Sequence, residues 1–187
     1  MALRSISSAE LSTGKRIVLV GAIGGMLAGM MMAMVEMIYG WVSDAHTFWD
    51  APMAIWSWVG GIDHFGQPAN HVGPIILGLG GHMMNSVMVG IVFAALITAL
   101  RPRGDLTPIM VGVAYGLGAW ALMRYAILPL NSGEADLFTK DLVSPQWVWW
   151  LAHGVLGMTA GVVYDIARRV GLVRPRPALT RGLRAAA

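Results

Sequence analysis

Four long apolar stretches, at about 16–41, 73–100, 107–129 and 147–169, decide most of what this chain can become. Each is long enough to cross about 30 Å of hydrocarbon as a helix, and little sequence is left for a soluble domain. Only 12% of the residues are charged and the mean hydropathy is +0.62, whereas soluble domains carry about 25% charged residues. The expected fold is an all-α, four-span transmembrane helix bundle, a single integral membrane domain over residues 1–187. The first stretch follows a polar start, but its apolar core is longer than that of a signal peptide and no small-x-small cleavage pattern follows. It reads as a retained span.

Orientation follows from the links, because Lys and Arg resist translocation. Arg4, Lys15 and Arg16 precede the first span, Arg101 and Arg103 join the second to the third, and six arginines from Arg168 to Arg184 follow the fourth. Eleven of the 13 cations thus fall on one side, so both termini are expected in the cytoplasm. The opposite links carry Asp44, Asp50, Asp63, Glu134, Asp136 and Asp141 against Lys140. Seven of the eight tryptophans (Trp41, Trp49, Trp56, Trp58, Trp147, Trp149 and Trp150) belong to that outer side, where amphipathic rings settle at headgroup depth. Phe48 to Trp58 is expected to lie along the surface. The Pro- and Arg-rich tail, 174–187, has no apolar period and is expected to be loose and near anionic lipid.

An internal similarity runs through the spans. His82-x7-Gly90-Ile-Val-Phe and His153-x7-Gly161-Val-Val-Tyr share a pattern, each followed by Arg-Pro-Arg at 101–103 and 174–176. Val20-Gly21-x3-Gly25 and Val111-Gly112-x3-Gly116 extend it to the helix before each. Two readings stay open: a chance match of common membrane residues, or two duplicated helical hairpins related by an axis along the membrane normal. Gly21, Gly25, Gly29 and Ala33, and Gly157 with Gly161, form small-residue ladders that let backbones approach. His82 and His153 lie on those stripes, so both are expected to face the bundle.

Ionisable groups inside a span cost about 2.5 to 3.5 kcal/mol each on insertion scales, which makes them the best functional signal. The candidates are Glu36, His82, Arg124 and His153, one per span, with Asn85 a turn from His82. Counted from the span midpoints, all four fall near one depth in the outer leaflet. Three readings follow. Glu36 and Arg124 neutralise each other as an ion pair that fixes register; or His82 and His153 ligate haem b or a metal from facing helices; or Glu36 and the histidines pass protons. A proton path would need an inner half, where the spans offer only Ser86, Thr98, Thr159, Tyr164 and Asp165.

The absence of cysteine removes disulfides, thiolate metal sites and thiol nucleophiles. The 14 methionines, with Met26, Met30, Met34 and Met37 at helical spacing, bring a copper ion to mind as a soft-ligand site, against the commoner use of Met as core filler. His46, His64 and His71, near Asp44 and Asp63, read as metal ligands or, more simply, as solvated interfacial residues. No phosphate-binding glycine loop, nucleophile elbow or His-Glu-x-x-His helix is present.

Glycine-rich first-span residues ending Leu27-Ala28-Gly29, Gly81-His82-x-x-Asn85, Leu128-Pro129-Leu130, and His153 followed by Ile166-Ala167-Arg168-Arg169 resemble the YagU-type family of small bacterial inner-membrane proteins. The resemblance runs over most of residues 20–170, and Glu36 and Arg124 depart from that family's pattern. It implies a multi-pass protein of the bacterial inner (plasma) membrane. The expected function is a non-enzymatic accessory or subunit of a membrane complex, in contact with lipid and with other membrane subunits or a second copy, and with no nucleic acid. The alternative is a small proton-linked transporter or channel using the same Glu and His residues.

Overall fold

The structure, a computed structural model, describes residues 13–44, 47–61, 72–100, 104, 106–130, 138, 140 and 142–173. His46, His64, His71, Asp63, Arg101, Arg103 and the tail from Arg174 lie outside the described residues. Those described are helical, with no strand among them: α1 (Thr13–Val42), α2 (Asp50–Gly60), α3 (Val72–Leu100), α4 (Thr107–Leu122) and α5 (Gln146–Arg169). Beyond Leu122, α4 continues through a π turn (Met123–Ile127) and a 3-10 turn (Leu128–Leu130). Pro129 lies in this wound end, where its missing N–H cannot continue the regular ladder.

Two antiparallel pairs, joined by glycine, build the bundle. On α1 and α3, a methyl group at Gly21 would run into Gly90 and Ile91, and one at Gly25 into Ser86 and Gly90. On α4 and α5, Gly112 faces Gly157 and Gly161, and Gly116 faces His153 and Gly157. Only glycine allows backbones this close, where dispersion and weak Cα–H···O contacts replace side-chain packing. The two seams correspond, with a one-turn difference from the register that the sequence motifs suggest. Gly25, opposite Ser86 and Gly90, takes the place that Gly112 holds opposite Gly157 and Gly161.

The pairs meet along α1 and α5, with Gly24 against Val163 and Tyr39 edge-on to Trp147 at 5.8 Å. Val20, Ala28, Met32, Phe93, Ile97, Leu156 and Tyr164 form the common core. A second cluster, of Ala51, Ala54, Val143 and Trp149, lies at the other end, with Trp120 and Phe138 against it. One end of the bundle thus carries Lys15, Arg16, Arg168 and Arg169, and the other carries α2 and most of the described tryptophans.

Three helices, Thr13–Val42, Val72–Leu100 and Thr107–Leu130, are long and apolar enough to cross a membrane. α5, with His153 and Asp165 within its length, is not among them. It buries Val148, Trp149, Ala152, Leu156, Ala160 and Tyr164 on one side and exposes Trp150, Leu151, Met158, Val162 and Ile166 on the other. Trp149 is no headgroup anchor: it is 7% exposed and its indole N–H donates to the Ser144 carbonyl at 2.9 Å. The Phe48–Trp58 stretch is not a surface strip either. It becomes α2, preceded by a turn in which Thr47 gives two hydrogen bonds to the Asp50 carboxylate, N–H to Oδ2 at 3.0 Å and Oγ1 to Oδ1 at 2.5 Å. Met53, Ala54 and Ser57 are fully enclosed, and Pro52 lies against Gly78 of α3, so α2 caps the bundle.

Candidate functional site

Glu36 is 2% exposed, and its Oε1 has no hydrogen-bond partner among the described residues. A buried polar atom left unpaired costs about 1 to 3 kcal/mol, more if it is charged, and such atoms are rare enough in native folds to call for a reason. α1 places the carboxyl there through helical spacing, Met32, Glu36, Met37 and Gly40 lying on its buried side. Gly40 is pressed against the backbone of Thr47, which folds the approach to α2 over the site.

His82 reaches across the first seam, with Nε2 2.9 Å from the carbonyl of Gly29. A carbonyl only accepts, so Nε2 carries the hydrogen and Nδ1 keeps a lone pair. His153 is half-buried, and its Nδ1 donates to the Trp149 carbonyl at 2.8 Å within its own helix, leaving the lone pair on Nε2. The two rings thus end in opposite tautomers.

The four ionisable groups form steps rather than one layer. His82 is level with Gly29, and Glu36 lies seven residues farther along α1, about 10 Å toward the α2 end. The contacts of Gly24 with Val163 and of Tyr39 with Trp147 set His153 between them, beside about residue 34 of α1. Arg124 is the outermost, eight residues beyond Gly116, which faces His153. Its Nη1 donates to the Phe138 carbonyl at 2.9 Å rather than to Glu36, and Phe138 packs on Trp149 at 5.4 Å. The structure thus brings Arg124 into the cap and Glu36 into the bundle beneath it.

Asn85 does not join His82: it is on the exposed face of α3. Met26, Met30 and Met34 are also exposed, while Met37 is buried, so the methionine stripe does not converge on one centre. No group of three or more His, Asp or Glu side chains that could hold a metal occurs among the described residues. Of the two histidines expected as haem or metal ligands, His82 is engaged through Nε2 by the Gly29 carbonyl and His153 through Nδ1 by the Trp149 carbonyl.

Two residues that sequence reasoning missed complete the interior. Tyr115 donates its hydroxyl to the Val89 carbonyl at 2.9 Å, linking α4 to α3, and its ring leans on Phe93 at 5.2 Å. The signal was available for Phe93, which continues the His82, Ser86, Gly90 stripe at helical spacing.

No family model matches this chain, and no solved structure matches it. It is similar to aquaporin TIP4-4 of Zea mays, 26% identical over 106 residues, which is 54% of this chain and 42% of the aquaporin. The chain therefore aligns with less than half of that relative's length. The all-helical fold and its long apolar helices make this a membrane protein with lipid-facing surfaces.

Proposed function

We propose that this chain is a four-span protein that works as a small proton-linked transporter or channel, with Glu36 as the group that takes up and releases the proton. The observation that carries the reading is the unpartnered oxygen of Glu36 inside the bundle. A carboxyl retained at such a position, with neither Arg124 nor a hydroxyl holding Oε1, makes better sense as a binding group than as a brace. The partial likeness to an aquaporin is compatible with a channel. The fourth span is α5, which packs on α1 and α4 and turns an apolar face of Trp150, Leu151, Met158, Val162 and Ile166 outward. The arginine end faces the cytoplasm on the positive-inside rule, in a bacterial inner membrane on the YagU-type resemblance. The matching glycine seams favour two duplicated hairpins.

The test is proton flux in proteoliposomes carrying an internal pH dye. Glu36→Gln, which keeps the shape but cannot exchange a proton, is expected to reduce flux to that of protein-free vesicles. Parental flux in this variant would remove the reading.

A second reading, an accessory subunit or homo-oligomer, is favoured by Asn85. Its amide is exposed at the middle of the 29-residue α3, where hydrocarbon offers no hydrogen bond. An amide is both donor and acceptor, and can pair with its counterpart in a second copy.

A further inference from the structure

On the side of α3 turned away from the seam with α1, Gly81, Asn85, Met88, Val92, Ala95 and Ala99 follow one another at alternating intervals of four and three residues. That spacing keeps one line of a helix facing a parallel partner over its whole length. Gly81 is half-buried and the other five are exposed. Large exposed side chains, Met84 and Leu96, stand to either side, while the line itself is small at both ends.

Contacts inside the chain do not account for this line. A methyl group at Gly81 would meet only Ile55, at 4.0 Å, whereas the seam glycine Gly90 on the opposite side leaves no room for one. Asn85 has no hydrogen-bond partner among the described residues. It stands near the middle of the 29-residue α3, where hydrocarbon supplies neither donor nor acceptor. A second copy, inserted with the same topology, carries the same amide at the same depth. Because an amide both donates and accepts, unlike a carboxylate or an ammonium, it is complementary to its own copy.

We propose that two copies pair in parallel through α3 along this line, about a twofold axis normal to the membrane. Each Asn85 N–H donates to the other copy's side-chain carbonyl. Gly81, Ala95 and Ala99 let the backbones approach on either side of that contact, and a single polar residue in an apolar repeat fixes the register. This rests on the homo-oligomer reading, deepens it to a face and an orientation, and is independent of Glu36.

The experiment places single cysteines in the cysteine-free chain, in proteoliposomes, and follows disulfide dimers under copper–phenanthroline oxidation, with fluorescence energy transfer between labelled copies alongside. A disulfide needs Cα atoms within about 7 Å. Met88→Cys and Val92→Cys are expected to cross-link at least tenfold faster than Met84→Cys, Leu96→Cys and, on α4, Met110→Cys. Adding Asn85→Leu to Val92→Cys is expected to slow cross-linking at least tenfold, and adding Asn85→Gln, which keeps the amide, to preserve most of it. Energy transfer with equal cross-linking at all five positions, or with none at 88 and 92, overturns pairing through α3 and leaves the homo-oligomer reading standing. The expected pattern unchanged by Asn85→Leu overturns the amide contact. Absence of both energy transfer and cross-linking leaves the line to lipid or to a different membrane protein and overturns both.

Discussion

Gly116 and Gly118, two residues apart on α4, show how sharply position decides the role of a residue in this bundle. A methyl group at Gly116 falls on the backbone of His153 and Gly157, while at Gly118 it meets open space. Gly116→Ala is expected to push α4 from α5 and destabilise the fold by about 1 to 3 kcal/mol. Gly118→Ala should be neutral or gain a few tenths of a kcal/mol from helix propensity. Chemical unfolding in detergent measures both, and equal effects would contradict the seam. Which glycines line a seam was legible in the sequence from their four-residue spacing. The placement of Asn85 was not: three residues from His82 it reads as the same face, yet α1 covers the histidine and stops short of the amide. Similarly, Arg124 and Glu36 are compatible partners by charge, and only the π turn before Pro129, with the Phe138 carbonyl beside it, sends the guanidinium elsewhere.

Helices were easier to read than the purpose of their surfaces. The spans expected at 16–41 and 73–100 differ from α1 and α3 by only a few residues, because long apolar runs leave the backbone no other way to satisfy its hydrogen bonds in lipid. Trp-rich segments were harder, since an indole serves equally as headgroup anchor or core filler, and Trp149 and α2 turned inward through the Ser144 carbonyl and Gly78. α5 is apolar on its outer face yet is not one of the three long apolar helices, and its crossing can be settled directly. The chain has no cysteine, so single-cysteine variants need no background removed. In intact inner-membrane vesicles of cytoplasm-out orientation, Ala187→Cys should react with a charged maleimide and Asp44→Cys should not until detergent is added. Protection of both until detergent is added, the result if α5 does not cross, or reaction of both, or of Asp44→Cys alone, would contradict the four-span arrangement with cytoplasmic termini.

Across the whole molecule, two glycine-seamed pairs joined through α1 and α5 leave α3 and α4 with little contact between them and much of their surface outward. Only 28% of the most apolar window of α3 and 17% of that of α4 is buried, which leaves Asn85 on a broad outer face. Asn85→Leu is expected to convert a cross-linkable dimer in bilayers to monomer without loss of fold, and unchanged cross-linking would count against pairing through α3. The same architecture sets Glu36 beneath its cap with Oε1 unpartnered, and the functional account depends on that. The most direct test is the unfolding free energy of Glu36→Met, which keeps volume and removes the polar oxygens. An unpaired buried carboxyl predicts a gain of about 1 to 3 kcal/mol. A loss of about 3 to 5 kcal/mol, the cost of breaking a buried ion pair, would show that Glu36 holds the bundle together and would contradict the account.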